Sequence, residues 1–197
     1  MSGLTFKETM SGPVALGATD PEDGATDANA ATLAIHCEIS IDDIDRFVAD
    51  REHTGSITGS VEYEPFGGTL PVTKGTFNLF SPGGANERLM QYRLAFERDG
   101  QRYFLDGAKH VHDDPGLDVW KDTTTLLTVL HEGSDASGPV AGAGILSLGV
   151  EALTRMMSTM RPHGGGVEPL VKFGKVFLGS LWESYGKDKI GGASGNH

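Results

Sequence analysis

The chain is 197 residues long, with 38% hydrophobic and 22% charged residues, the composition of an ordinary globular protein of one domain rather than a disordered or membrane one. Its net charge of −11 argues against sequence-independent nucleic-acid binding, which needs Lys and Arg to displace counterions from phosphates, and against attraction to anionic membrane surfaces. The single cysteine, Cys37, cannot form an internal disulfide and reads as a small buried apolar residue, while 28 glycines without periodicity suit the turns and bulges of a β-rich fold.

Residues 1–30 contain no basic start followed by an apolar run, and the longest uncharged stretch, residues 136–150, is too short and glycine-rich to span a bilayer, which takes about 20 apolar residues. A cytoplasmic protein without a membrane span is expected. The first 30 residues read as a compact unit, LTFKETMSG, followed by an acidic flexible loop, GATDPEDGATDANA, with the fold proper beginning at Ala31.

From Ala31, the residues Leu33, Ile35, Cys37 and Ile39 alternate with more polar or smaller ones, the period of a half-buried strand. Ser40 precedes IDDIDRFVAD, which predicts a short capped helix with Ile41, Ile44, Phe47 and Val48 at helical spacing. ITGSVEYE is a second strand, and TLPVTKGTFNLF a long third one with a bulge at Gly75. In RLMQYRLAFER, Met90, Tyr92, Leu94 and Phe96 take one face, and Asp99-Gly100 predicts a hairpin into QRYFLDGAKHVH. A turn at Asp113–Gly116 leads to LDVWKDTTTLLTVLHEG, and VAGAGILSLG is a last strand.

The C-terminal part reads as two amphipathic helices over residues 148–186 and a flexible tail over 187–197. The first places Leu146, Val150, Leu153, Met157 and Met160 on one face, and the second runs from Glu168 to Tyr185 with Leu170, Phe173, Phe177 and Leu181 aligned. Seven or eight consecutive strands joined by hairpin-type turns predict a mainly β fold. The expected form is an antiparallel, lipocalin-like barrel over residues 31–147 with the helices packed on it or over its mouth. About eight strands enclose room for side chains or one small ligand.

Phe6, Lys7, Glu8, Thr9, Met10 and Gly12, then Gly75, Phe77, Asn78 and Phe80, then Gly107, Lys109, Asp113 and the run Asp118-x-Trp120-x-Asp122-Thr-Thr-Thr-Leu126 form a pattern spanning most of the chain. It resembles an accessory region of long bacterial proteins that carry a cholesterol-oxidase-like member of the glucose-methanol-choline oxidoreductase family, sometimes with an α/β-hydrolase domain. The resemblance implies a neighbourhood of sterol or other lipid chemistry, with a flavin oxidoreductase as a partner. It implies no flavin in this chain, because no G-x-G-x-x-G opens a strand-turn-helix unit, and no cofactor is expected.

His110 and His112 share a strand face, with Asp113, Asp114 and Asp118 nearby in sequence, but a third ligand at a defined position is lacking, so the expectation is a polar face and no metal. Asp106 and Lys109 lie on opposite faces unless Gly107 marks a bulge. In the interior, Lys109 has Glu8, Asp106, Asp118 and Asp122 as possible partners, either as a structural ion pair or as a tuned acid-base pair. Trp120 is either a plug of the barrel floor or part of a pocket wall. Met156, Met157 and Met160 suit core packing or a deformable lid. There is no G-x-S-x-G elbow, and Cys37 has no basic neighbour beyond His36.

The leading expectation is therefore a barrel that binds a small apolar ligand, sterol-like or another lipid, through Tyr92, Phe96, Lys109 and Trp120. The alternative is a cofactor-independent isomerase or cyclase using Glu8 or Asp118 as an enclosed carboxylate with Lys109 or Tyr92 as its partner. A third is a structural partner domain with a filled core.

Overall fold

The computed structural model of the protein describes residues 1–83, 87–112 and 124–185. Eight antiparallel strands form a closed barrel: β1 (Gly3–Leu16), β2 (Ala31–Ile41), β3 (Thr54–Tyr63), β4 (Gly68–Pro82), β5 (Glu87–Arg98), β6 (Gln101–His112), β7 (Thr125–Glu132) and β8 (Val140–Ser147). Each pairs with the next, and β1 pairs with both β2 and β8, so neither edge is left open to recruit another chain. A short ninth strand, β9 (Arg161–His163), adds to the start of β1.

The strand that closes the barrel comes from residues 1–30, which the sequence pattern alone sets apart from it. Leu4, Phe6, Met10 and Val14 are buried on its inner face, but Glu8 interrupts that series with a charge. The acidic stretch that follows is in part a helix, α1 (Pro21–Thr26), capped by the Asp20 carboxylate, which accepts the backbone N–H groups of Glu22 and Asp23 at 2.9 and 3.3 Å. Gly24 is buried where α1 meets β8, because a Cβ there would lie 3.2 Å from the Ala18 Cβ and closer still to the Ala143 backbone.

Alternation sets the interior as the sequence predicts. Leu33, Ile35, Cys37 and Ile39 point inward from β2, and Met90, Tyr92, Leu94 and Phe96 from β5. Asp99 and Gly100, at φ 49° and 80°, form the expected hairpin turn, with Arg98 opposite Gln101. The predicted bulge does not fall on Gly75. The register slips just before it, between Val72 and Lys74, and Gly75 itself brings β4 close to β3, since a Cβ there would lie 2.6 Å from the Ile57 carbonyl oxygen.

The second helix, α2 (Ile44–Ala49), starts later than predicted. Asp43, not Ser40, caps it, accepting from the N–H groups of Asp45 and Arg46 at 3.0 Å. Ile41 ends β2, and Val48 is exposed. The third helix, α3 (Val150–Thr159), presents Ala152 and Met156 to the core, as does Met160 at its C-cap, and Met157 is 64% exposed. The predicted face was phased from Leu146, which belongs to β8, so the helical register starts afresh after Gly149. The last helix, α4 (Glu168–Tyr185), has the predicted limits. Among the described residues no helix is long and apolar enough to cross a membrane.

Candidate functional site

Glu8 on β1, Tyr92 on β5 and Lys109 on β6 project into the barrel and meet there, all three buried. Lys109 donates from Nζ to Glu8 Oε1 at 3.3 Å and to the Tyr92 hydroxyl oxygen at 3.4 Å. The Tyr92 hydroxyl donates in turn to Glu8 Oε2 at 2.8 Å. The three groups thus form a closed ring of hydrogen bonds, and the Lys109 Nζ also lies 5.0 Å from the centre of the Tyr92 ring, within cation-π range.

The register of β5 against β6 explains the meeting. It runs unbroken from Glu87–His112 to Arg98–Gln101, pairing Tyr92 with Gly107 and Met90 with Lys109. Gly107 is therefore no bulge. It is a buried inward position where a Cβ would come within 2.8 Å of the Leu126 side chain. Asp106 accordingly stays on the outer face, where it pairs with Arg93 at 3.5 Å, and Glu8 is the acid that Lys109 reaches.

Cys37 is paired with Glu8 across β1 and β2 and completes the wall beside the cluster. Burial pushes its thiol up, the Glu8 carboxylate raises it further, and Lys109 opposes the shift. At neutral pH it is a protonated thiol and not a nucleophile. Burial, the charge of Glu8 and the hydrogen bond to Glu8 likewise hold the Tyr92 phenol well above its ordinary value, so it is a neutral donor.

Aromatic side chains separate this polar layer from both ends of the barrel. On one side Phe77 meets Tyr92 edge-on at 5.2 Å and Phe6 at 6.1 Å. Phe6 leads to Phe173 of α4, at 5.6 Å, and Phe173 stacks with Phe177 and packs against Phe47 of α2. Phe80 joins the group through Phe177, at 5.8 Å, from a left-handed backbone conformation with φ 50°, which costs a bulky residue about 1–3 kcal/mol. Helix α4 therefore closes this mouth by lowering Phe173 and Phe177 onto aromatic partners. Outside it, a cleft of about 710 Å³ runs beside α2, lined by Asp42, Asp43, Arg46, Phe47 and Asp50 among others. Phe47 forms part of both the cleft wall and the mouth.

The opposite end holds Tyr63, Phe66, Phe96 and Tyr103, with Arg98 over the Phe66 ring at 5.1 Å and the Tyr63 hydroxyl donating to the Val14 carbonyl at 2.9 Å. Phe96 is thus an interior residue of this second aromatic group, stacked with Tyr103, and not a neighbour of Lys109. Asp118, Trp120 and Asp122, with the turn at 113–116, lie outside the described residues.

His110 pairs with Glu87 at 2.6 Å, His36 with Glu62 at 3.2 Å, and among the described residues no group of three or more His, Cys, Asp or Glu side chains could hold a metal ion. Cys37 and Met10, neither singled out as site residues from the sequence, face the same interior as the cluster. The inward phase of Cys37 is visible in the β2 alternation, but its position beside Glu8 depends on the pairing of β1 with β2.

The chain matches no protein-family model, no curated protein and no solved structure.

Proposed function

We propose that the protein is a binding module for a small apolar molecule carrying one polar group, held inside the barrel with that group at Lys109, Tyr92 and Glu8. The observation that carries this reading is a fully buried ion pair among mostly apolar buried side chains. Desolvating two charges costs several kcal/mol per ion, and well-packed apolar residues of similar volume are commonly as stable or more so. A cluster of this kind has a ready use as a fixed donor-acceptor set for a ligand whose remaining surface is apolar.

The surrounding Phe6, Phe77, Cys37 and Met10 suit an apolar ligand body, and α4 is placed to admit it by withdrawing Phe173 and Phe177. The resemblance to an accessory region of cholesterol-oxidase-like proteins points to a sterol or another lipid as the ligand class, and to a flavin oxidoreductase as the partner that it serves. A soluble, cytoplasmic carrier fits the net charge of −11.

A second reading, an isomerase or cyclase without a cofactor, is favoured by the Tyr92 hydroxyl bridging Lys109 and Glu8, since a proton can pass between them through it. Displacement of an environment-sensitive apolar dye by sterols and fatty alcohols tests the binding reading. Displacement by one class, weakened in Lys109→Met, supports it, and no displacement by any of them contradicts it. Appearance of an isomeric product from the displacing compound would favour the enzyme reading.

A further inference from the structure

Lys109 differs from a purely structural lysine in what surrounds its ammonium. It is 0% exposed, and its three N–H groups have two acceptors among the described residues, Glu8 Oε1 and the Tyr92 hydroxyl. Among the described residues no third acceptor meets that ammonium. The same Glu8 carboxylate that accepts from Lys109 also accepts from Tyr92, so base, relay and amine are joined in one ring.

We propose that Lys109 captures the carbonyl group of an apolar aldehyde or ketone as an imine, with Glu8 and Tyr92 moving the protons. This inference rests on the binding reading above and names the ligand class for the same site. The cluster supplies each requirement of the condensation without a co-reactant.

Lys109 first passes a proton to Glu8, directly or through the Tyr92 hydroxyl, giving a neutral amine and a neutral acid in place of two buried charges. The amine lone pair then forms the N–C bond as the carbonyl π electrons move to oxygen, and that oxygen takes a proton from the nitrogen through Tyr92. In the second half the C–O bond breaks as the nitrogen lone pair forms C=N, and the departing hydroxyl takes the proton held by Glu8 and leaves as water. One carbonyl and one ammonium become one protonated imine and one water.

The charge pattern is unchanged at the end, because a cationic nitrogen again faces the Glu8 carboxylate. An alcohol or a hydrocarbon of the same size offers no such bond, so the site discriminates by the presence of a carbonyl rather than by shape alone. The apolar walls also keep out bulk water, which would hydrolyse the imine.

The test uses the full-length protein, decanal as the aldehyde and sodium cyanoborohydride to reduce any imine to a stable amine, followed by peptide mapping by mass. The expected result is alkylation of Lys109 at least about tenfold faster than of the exposed Lys7 and Lys74, because the bound aldehyde is held at the amine. Decanol, which lacks the carbonyl, should slow that alkylation in proportion to its occupancy.

Alkylation confined to exposed lysines, while decanol binds and displaces the dye, would overturn imine formation and leave the binding reading standing. If neither decanal nor decanol binds and Lys109 stays unmodified, both fail. Because the decisive comparison is between lysines of the unaltered protein, it holds even if a variant at Lys109 does not fold.

Discussion

The Tyr92 hydroxyl and the Glu8 carboxylate stand 2.8 Å apart across the barrel, joining residues 84 positions apart in the chain. The bond exists only because β1 is a barrel strand. It ties the first strand to the middle of the sheet from the inside, while the β1–β2 and β1–β8 ladders tie it along the wall. Glu8 is thereby held by two donors, and neither Tyr92 nor Lys109 can be removed without altering the environment of the carboxylate that remains.

The first prediction concerns that dependence. Lys109→Met leaves the Glu8 carboxylate buried without its counter-charge and should destabilise the fold by about 3–5 kcal/mol in denaturant unfolding. Replacing all three partners together, Glu8→Leu with Tyr92→Phe and Lys109→Met, should restore most of that stability or exceed the original, because the desolvated ion pair is then gone. A triple variant less stable than Lys109→Met would mean that the cluster holds the fold together rather than tolerating a cost for function.

The second concerns the mouth. Phe173→Ala removes the only described side chain of α4 that is both aromatic and fully seated between Phe6 and Phe47, and should cost about 3 kcal/mol. In amide exchange the loss should concentrate in α4 and α2 while the strands of the barrel keep their protection. An equal loss throughout would show that the helix is an integral part of the barrel core and not a separable cover.

The third follows from close approach. Gly24→Ala puts a methyl group against the Ala143 backbone, where a flexible side chain cannot yield, and should cost about 1–3 kcal/mol by pushing α1 off β8. Asp20→Ala, which only removes the cap of the same helix, should cost about 1 kcal/mol. Thermal unfolding of the two variants gives their order directly.

The fourth is a pH dependence. Cys37 and Tyr92 both have raised values in the folded protein, so the folded state keeps protons that the unfolded chain releases. Their contribution is fully present below the unfolded thiol value of 9.0 and declines above it, first through Cys37 and then, beyond 10.0, through Tyr92. Stability should therefore fall on the alkaline side, and Cys37→Ala should move the start of the fall upward by about one pH unit, the spacing of the two ordinary values. A start unchanged in that variant would contradict the assignment.

The barrel itself was legible because most strands keep strict alternation, and the run Met90, Tyr92, Leu94, Phe96 fixes which face of β5 is inside. The limits of α4 were legible for the parallel reason at helical period. Glu8, Tyr92 and Lys109 were each visible as candidates, and Glu8 was one of four acids open to Lys109; the choice among them was not legible, since it depends on the closure of the barrel by β1. Glu8 breaks the inner series of β1, the strand that the sequence pattern sets apart from the barrel, and Lys109 puts a second charge on the inner face of β6 after Leu105 and Gly107. Gly75 and Met157 were misread for a different reason, because a close approach between strands and the starting phase of a helix are set by neighbours rather than by local composition.

The measurement that tests the central claim most directly is the mass of the freshly purified protein under native and then denaturing conditions. A noncovalent ligand survives in the first and is released in the second, where its own mass identifies it. The account predicts an added mass that disappears on denaturation and belongs to an apolar molecule with one polar group, or that persists after borohydride treatment if the ligand is a carbonyl compound bound at Lys109. The bare chain mass under both conditions, with no uptake from a mixture of sterols, fatty alcohols and fatty aldehydes, would contradict it and leave a partner domain whose interior is filled by its own side chains.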